Sequence, residues 1–203
     1  MTADPWHRGR RPRDAIIETA IRVFTADGYA AGSLNTIARH LGITRQLLLH
    51  YFPSKDAILV AVLEEVDRRP PTRWPDGSRR SMMTVLDDID QLFSTVRGGN
   101  NLVPLKHRLA AEATDARHPA YDWLVLRRER NLGMLQAVYA AAIERGELPR
   151  DVDAYGLAML TLEAVQGIER QRLADPYGEW GAAVGALRRL LEALVSESRK
   201  PRQ

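Results

Sequence analysis

Apolar residues recur three and four positions apart along almost the whole chain, and this spacing limits the possible folds more than any other feature of the sequence. An α-helix returns a side chain to the same face at these intervals, whereas a β-strand alternates its faces every second residue. The first such stretch has an apolar stripe formed by Ile16, Ile17, Ala20, Ile21 and Phe24. No β-branched run shows strict alternation. The sequence therefore predicts an all-α protein.

Capping residues and helix breakers predict about nine helices. The first begins near Pro12 or Arg13 and ends at Asp27 and Gly28, where glycine suits a left-handed cap. Ser33, Thr44 and Ser54 can cap the next three, because their side-chain oxygens accept hydrogen bonds from unpaired backbone N–H groups. Those three helices run over 34–41, from 44 to about 51, and from 54 to a stop at 68–71; the others are predicted at 81–96, 103–116, 119–145, 152–174 and 177–198.

The segment 70–80, PPTRWPDGSRR, is the best linker candidate, because it is rich in proline and has no helical period. It divides the chain into an arm at 1–11, a helical part at 12–69 and a larger helical part at 81–203. We place the domain boundary at this linker.

Positive charge is concentrated at the start of the chain. All 203 residues carry a net charge of +3, but residues 1–55 alone sum to +4, and the remainder sums to −1. A basic region of this kind attracts a phosphate backbone. Nucleic acid is therefore a candidate partner.

Other features of the composition narrow the class of protein. The absence of cysteine excludes disulfides, thiolate zinc sites and cysteine nucleophiles. The apolar stretches are far shorter than the roughly 20 residues that cross a bilayer, and the basic start of the chain lacks the apolar segment of a signal peptide. We expect a soluble cytoplasmic protein.

Two short predicted helices joined at Gly42 and Ile43 form a helix-turn-helix pattern. Ala38 is small where the two helices must approach each other. The pattern alone also fits a helical hairpin that only packs. The second helix favours DNA, because its polar and aromatic side chains suit base edges and phosphates. These are Thr44, Arg45, Gln46, His50 and Tyr51.

The stretch from Gly42 to Leu59, GITRQLLLHYFPSKDAIL, resembles the signature of TetR-family transcriptional regulators, and a matching helix with Ser33, Ile37 and Ala38 precedes it. The resemblance covers about residues 12–66; the rest of the chain is similar only in length and helical character. It implies an N-terminal three-helix helix-turn-helix DNA-binding domain with a connecting helix at 12–69. It also implies a larger C-terminal helical domain at 81–203 for effector binding and dimerisation.

The resemblance also implies a set of DNA contacts. The polar residues of the second short helix would face the major groove, while Lys55 and the Ser33 cap would lie against phosphate. Asn35 stands where the family sometimes has a base-contacting residue. The family usually has tyrosine at the position of Leu49, so binding is expected either to be weaker or to depend more on His50 and Tyr51. The predicted contacts are Ser33, Asn35, Thr44, Arg45, Gln46, His50, Tyr51 and Lys55.

Arg8, Arg10, Arg11 and Arg13 form a basic arm ahead of the first helix. Contact with phosphates or with the minor groove would add salt-dependent affinity. A solvated tail with no role in DNA binding is the alternative.

A helix-turn-helix reads one half-site, so a second copy of the chain is expected to read the other. Small residues in the last two predicted helices allow helix backbones to approach closely, and an apolar stripe follows them. The resemblance implies that these helices from two subunits form a four-helix interface. The predicted interface residues are Gly167, Ala183, Leu187, Leu191 and Leu194, with packing inside one chain as the alternative.

Polar and aromatic residues in apolar helical settings suggest an effector pocket. The candidates are Trp123, Met134, Tyr139, Met159, Glu163 and Gln166. A buried carboxylate among aromatic rings would favour a cationic ligand. Each of these residues has an ordinary alternative as a core or solvated position.

We expect no enzyme activity, cofactor or metal site. The five histidines form no HExxH pattern, and the chain has neither a Gly-rich phosphate loop nor a GxSxG elbow. The leading hypothesis is a homodimeric, sequence-specific DNA-binding transcriptional regulator, a repressor that a small-molecule effector releases from a palindromic operator. The alternative is an all-helical ligand-binding or scaffolding protein whose N-terminal hairpin binds a protein partner.

Overall fold

The computed structural model describes residues 11–68, 81–94 and 102–198, and within these ranges it contains helices and no strand. The predicted all-α fold is confirmed. The helices are α1 (Pro12–Ala31), α2 (Leu34–Leu41), α3 (Arg45–Tyr51), α4 (Lys55–Arg68), α5 (Met82–Ser94), α6 (Val103–Glu112), α7 (Tyr121–Glu144), α8 (Ala154–Ala174) and α9 (Trp180–Ser198). The predicted linker at 70–80 lies outside the described residues. No helix in the described ranges is long and apolar enough to cross a membrane.

The helices form two compact units that do not follow chain order. The amino-terminal unit contains α1 to α4, α6 and the first residues of α7, up to Val125. The carboxy-terminal unit contains α5, the rest of α7, α8 and α9. Helix α6 follows the predicted linker in the chain, but it belongs to the amino-terminal unit. Its residues Leu105 and Leu109 are fully buried in the core of that unit.

The amino-terminal unit has a continuous apolar core to which every one of its first four helices contributes. The fully buried side chains include Ile16 and Phe24 of α1, Ile37 of α2, Leu48 of α3, and Ile58 and Leu59 of α4. Burial of side chains of this size contributes about 1.5–3 kcal/mol each relative to leaving them exposed. Leu48 is the fully buried residue of α3, and the first two residues of that short helix, Arg45 and Gln46, remain exposed.

The carboxy-terminal unit is built around Tyr139 of α7, whose side chain is fully buried. Its hydroxyl group shares a hydrogen bond of 2.9 Å with Oγ1 of Thr161 on α8, which is also buried. Burial raises the pKa of Tyr139 to about 12, so the phenol is neutral at physiological pH. The hydrogen bond satisfies both hydroxyl groups inside an apolar core.

The predicted caps are confirmed. The side-chain oxygen of Ser33 accepts from the N–H of Thr36 at 3.0 Å, and that of Thr44 accepts from the N–H of Leu47 at 3.1 Å. Ser54 makes the same bond to the N–H of Ala57 at 3.0 Å. Each cap pairs a donor that the helix itself leaves unpaired.

Several helix ends differ from the prediction. Gly28 is not a left-handed terminal cap: it interrupts α1 with φ 85° and ψ 168°, and the helix then resumes to Ala31. Helix α6 ends at Glu112, because Ala113 leaves helical geometry with ψ 63°. Helix α9 begins at Trp180 rather than at 177, because Oδ1 of Asp175 accepts from the N–H of Tyr177 at 3.2 Å and forms a turn.

Candidate nucleic-acid interface

The turn between α2 and α3 is set by Gly42, which has φ 68° and ψ 25° in the left-handed region. The N–H of Gly42 donates to the carbonyl of Arg39 at 3.2 Å, and the N–H of Ile43 donates to the carbonyl of Ala38 at 3.0 Å. These bonds pair the last carbonyls of α2 and direct the chain into α3. Ala38 is only 3% exposed. The predicted helix-turn-helix is therefore present, with α3 as its second helix.

Helix α3 is anchored from one side and open on the other. Leu48 is fully buried, Tyr51 packs partly against the same core, and Phe52 just after the helix is 1% exposed. The predicted base-contacting residues Thr44, Arg45, Gln46 and His50 are all exposed. We call α3 with its cap Thr44 the reading helix; these four polar side chains lie outside the protein interior.

Thr44 combines capping with a free donor. Its oxygen accepts from the N–H of Leu47, which uses one lone pair and leaves the hydroxyl hydrogen available. Leu49, which stands where tyrosine is usual in the resemblance, is half-buried and offers no hydrogen-bonding group. Hydrogen bonding in the carboxyl half of the reading helix therefore depends on His50 and Tyr51, whose rings contact edge to face at 5.4 Å.

Ser33, which is predicted to contact phosphate, also stabilises the start of α2. Ser33 is half-buried and caps the helix, and its hydroxyl lies 2.9 Å from Oγ1 of Thr36. Asn35 is exposed in the first turn. Arg39, exposed in the last turn of α2, was not singled out by the sequence analysis. Its position beside His40, just before the turn into the reading helix, is a sequence signal for a further basic residue near DNA.

Lys55 is held against α1. Its ammonium donates to the carbonyl of Ala30 at 3.2 Å and lies 4.2 Å from the ring centre of Tyr29. Burial lowers the pKa of Lys55 below its ordinary value, opposed by the charges of Asp56 and Glu112. The predicted contact between Lys55 and phosphate would have to use an ammonium that already joins α4 to α1.

The basic arm is described only in part. Arg8 and Arg10 lie outside the described residues, and Arg11 is exposed just before α1. The guanidinium of Arg13 lies 4.2 Å from the ring centre of Phe52 and donates to the carbonyl of Tyr51 at 3.4 Å. Arg13 therefore connects the start of α1 to the end of the reading helix.

Helix α6 closes over the break in α1 at Gly28. An oxygen of Glu112 accepts from the N–H of Ala30 at 2.9 Å, and Arg108 donates to the carbonyl of Thr25 at 3.4 Å. A Cβ on Gly28 would overlap the Glu112 carboxylate, so a larger residue there would displace the end of the Glu112 side chain from this contact. We call this contact the Gly28–Glu112 clamp.

Tyr29 connects the clamp region to α4. Its hydroxyl donates to the carboxylate of Asp56 in the first turn of α4, and burial together with this bond raises the pKa of Tyr29 above its ordinary value. The ring of His118 contacts Tyr29 edge to face at 5.1 Å. Nδ1 of His118 accepts from the N–H of Ala120, which leaves the imidazole proton on Nε2 in the neutral ring.

The predicted effector residues do not form one group. Trp123 lies in the amino-terminal unit, where its indole N–H donates to Asp67 at 2.9 Å; the others belong to the carboxy-terminal unit. Tyr139 is fully buried, Met134 and Gln166 are half-buried, and Met159 is 37% exposed.

The expectation of a buried carboxylate at Glu163 is wrong. Its side chain is 47% exposed and forms an ion pair with Arg128 at 2.9 Å, since residue 163 falls on the outer face of α8. Among the described residues of the carboxy-terminal unit, the buried charges are Arg127 and Glu169, each 6% exposed and each with interaction partners. The sequence analysis predicted a role for neither Arg127 nor Glu169.

Among the predicted dimer residues on α9, Leu191 faces inward and the other three are partly buried. Leu191 is 2% exposed in a single protomer, and Ala183, Leu187 and Leu194 pack partly against the core of the same unit. These positions follow the helical period of Val184 and Val195, which are also buried. Gly167 is half-buried on α8.

Two leucines on these two helices are largely exposed. Leu160 of α8 is 68% exposed and Leu190 of α9 is 67% exposed. Ala186 and Ala182, one and two turns before Leu190, are also exposed, so the side chains that precede Leu190 on this face are small. We call Leu160, Ala182, Ala186 and Leu190 the outer apolar residues of the carboxy-terminal unit.

Comparison with known proteins adds a family match to this geometry. Residues 16–62 match the model of a family described as bacterial regulatory proteins, tetR family. The match begins within α1 and ends within α4, and so includes the whole helix-turn-helix.

Individual relatives extend the similarity. The chain is 26% identical over 164 residues to the A-factor receptor protein of Streptomyces griseus, covering 79% of this chain and 55% of that protein. It is 37% identical over 54 residues to the HTH-type transcriptional regulator RutR of Escherichia coli, covering 27% of this chain and 26% of that one. The chain thus spans between about a quarter and just over half of these relatives.

Among solved structures, a TetR-family transcriptional regulator from Cytophaga hutchinsonii is similar with a TM-score of 0.77 at 17% identity. The similarity covers 90% of this chain and 94% of that chain. At this level of identity the similarity is one of fold.

Proposed function

Through residues 16–62 this chain belongs to the TetR family of bacterial regulatory proteins, and from that premise we propose that it is a sequence-specific DNA-binding transcriptional regulator. One observation carries the proposal. The reading helix is fixed to the core by Leu48 and exposes Thr44, Arg45, Gln46 and His50 together. A helix held in this way can enter the major groove and present donors and acceptors to base edges.

We propose that the regulator is a homodimer whose interface includes the outer apolar residues of α8 and α9. A single helix-turn-helix reads one half-site, and two-fold symmetry of the protein then matches a palindromic operator. The proposal is supported by the exposure of Leu160 and Leu190, since the small residues Ala182 and Ala186 that precede Leu190 would allow another helix to approach. The protein would act in the cytoplasm.

Regulation by a small molecule completes the proposal. The protein would have two conformations, and its carboxy-terminal unit would bind the effector more tightly in one of them. That conformation would have the lower affinity for the operator. The protein would then act as a repressor that its effector releases. Trp123 is a less suitable effector contact than the other predicted residues, because its indole N–H is already paired with Asp67 in the amino-terminal unit.

The test compares two basic residues with different tasks on an operator selected from a random duplex pool. Arg45→Ala should lower the affinity for the selected operator by at least about fivefold for each half-site and affect random duplexes less, because a lost base contact is worth about 1–3 kcal/mol. Lys55→Ala should weaken binding to every sequence and reduce the salt slope by about one for each subunit, or about two for a dimer. Fluorescence anisotropy over a range of salt concentrations measures both effects.

Two controls accompany this comparison. Arg150→Ala removes one positive charge from an exposed position in the carboxy-terminal unit and should change DNA binding little. A melting curve of Lys55→Ala separates loss of its contact with Ala30 from loss of phosphate binding. Equal losses from Arg45→Ala and Lys55→Ala on operator and random duplexes would contradict the division of tasks. DNA binding that is absent or independent of salt would favour a protein partner for the hairpin.

A further inference from the structure

The reading helix exposes one apolar side chain beside its polar residues. Leu47 is 41% exposed, in contrast to the neighbouring Leu48, which is fully buried. It is absent from the partly buried residues that pack against the core of the amino-terminal unit. The protein interior therefore does not explain a leucine at this position.

The backbone of Leu47 is held in place by the cap of the same helix. Its N–H donates to the side-chain oxygen of Thr44 at 3.1 Å, which orders the first turn. On the helical period, Leu47 lies one turn before His50, and Gln46 precedes it on the exposed side. Leu47 is thus exposed on an ordered helical turn, next to residues that are proposed to contact DNA.

The chemistry of a leucine side chain limits what it can recognise there. It can neither donate nor accept a hydrogen bond, so it adds nothing at phosphates or at the polar atoms of base edges. The apolar group that the major groove presents is the 5-methyl group of thymine. Burial of the two apolar surfaces against each other removes both from water.

We propose that Leu47 is a specificity-determining residue that reads a thymine through its 5-methyl group. The inference rests on the proposed function, since it requires the reading helix to lie in the major groove. It adds apolar readout at a position that the sequence analysis left out of the predicted DNA contacts. The same leucine in each subunit would select a thymine in each half of the operator.

The experiment replaces thymine by deoxyuridine, which removes the methyl group and keeps the base-pairing edge. An operator is first selected from a random duplex pool by the full-length protein, and each thymine is then replaced in turn. We expect one position in each half-site at which the replacement weakens binding roughly fourfold, the value of one buried methyl group. Replacement in both half-sites should weaken binding roughly 15-fold.

Leu47→Ala is tested with the same thymine and deoxyuridine operators, which gives a double-mutant cycle. This variant should bind the thymine operator more weakly than the parent protein and should lose the discrimination between thymine and deoxyuridine at those positions. Its melting temperature should not fall, because Leu47 is outside the core and alanine is a strong helix former. Leu47→Met keeps an apolar side chain of similar volume and should retain part of the discrimination.

The outcomes separate this inference from the function on which it rests. A protein that selects an operator but tolerates deoxyuridine at every position overturns the role of Leu47 alone. The same holds if Leu47→Ala keeps the full discrimination of the parent protein. A protein that selects no operator overturns the proposed function and the role of Leu47 with it.

Discussion

Gly28→Ala is expected to lower the free energy of unfolding of the amino-terminal unit by about 3 kcal/mol. Gly28 has φ 85° and ψ 168°, a backbone conformation that is essentially restricted to glycine. The new methyl group would also overlap the carboxylate of Glu112, which accepts from the N–H of Ala30. Backbone strain and loss of the Gly28–Glu112 clamp therefore add together. Urea unfolding followed by circular dichroism measures the effect.

Gly42→Ala is the matched control, because Gly42 also has a positive φ, of 68°, but has open space where a Cβ would lie. We expect this change to cost only about 1–2 kcal/mol, the strain of a left-handed alanine. Adding Glu112→Ala to Gly28→Ala should cost little more, because the carboxylate has already been displaced from the N–H of Ala30. Equal losses at the two glycines, with a full further loss from Glu112→Ala in the double variant, would show that α6 does not close over Gly28 in solution.

Leu190→Glu is expected to yield a folded monomer whose affinity for the operator is lower by about 100-fold, equivalent to about 2.7 kcal/mol. Leu190 is 67% exposed in the protomer, so its replacement should leave the unit folded. A glutamate placed in an apolar interface would have to be desolvated without a partner, which opposes association. Each monomer could then read only one half-site. Sedimentation velocity and anisotropy measure the two effects.

Leu191→Glu places the same charge at the neighbouring position and is expected to have a different effect. Leu191 is 2% exposed, so this charge would be buried in the core of the protomer itself and should unfold the carboxy-terminal unit. The sequence interpretation placed Leu191 in the dimer interface, whereas we propose Leu190, because Leu190 is the exposed residue of the two. If Leu190→Glu remains a dimer at micromolar concentration, the subunits associate through another surface.

Local features were predictable because their causes are local. A side-chain oxygen at Ser33 or Thr44 pairs with an N–H only three residues away, and the predicted bounds of α2 match those observed. Gly42 adopts the backbone conformation that its position required. The break at Gly28 was placed correctly but its consequence was not, because the chain continues as helix to Ala31.

Residue types alone did not reveal which polar groups are already engaged. Arg13 and Lys55, which are predicted to contact phosphate, also have partners inside the protein, Phe52 and Ala30, which lie 39 and 25 positions away in the chain. Glu163 looked like a buried carboxylate because its sequence neighbours are apolar. The rotation of α8 about its axis, which depends on packing against other helices, decided that it is exposed.

The sequence by itself determined the helical class, the capped helix-turn-helix and the identity of the polar residues on the reading helix. These follow from the helical period and from hydrogen bonds that span three or four residues. The tertiary structure decided that α6 packs with the amino-terminal helices, that Leu191 faces inward, and that Leu47 and Leu190 are exposed. The physical reason is that apolar side chains look alike in sequence, and only the packing of distant helices selects which of them are removed from water.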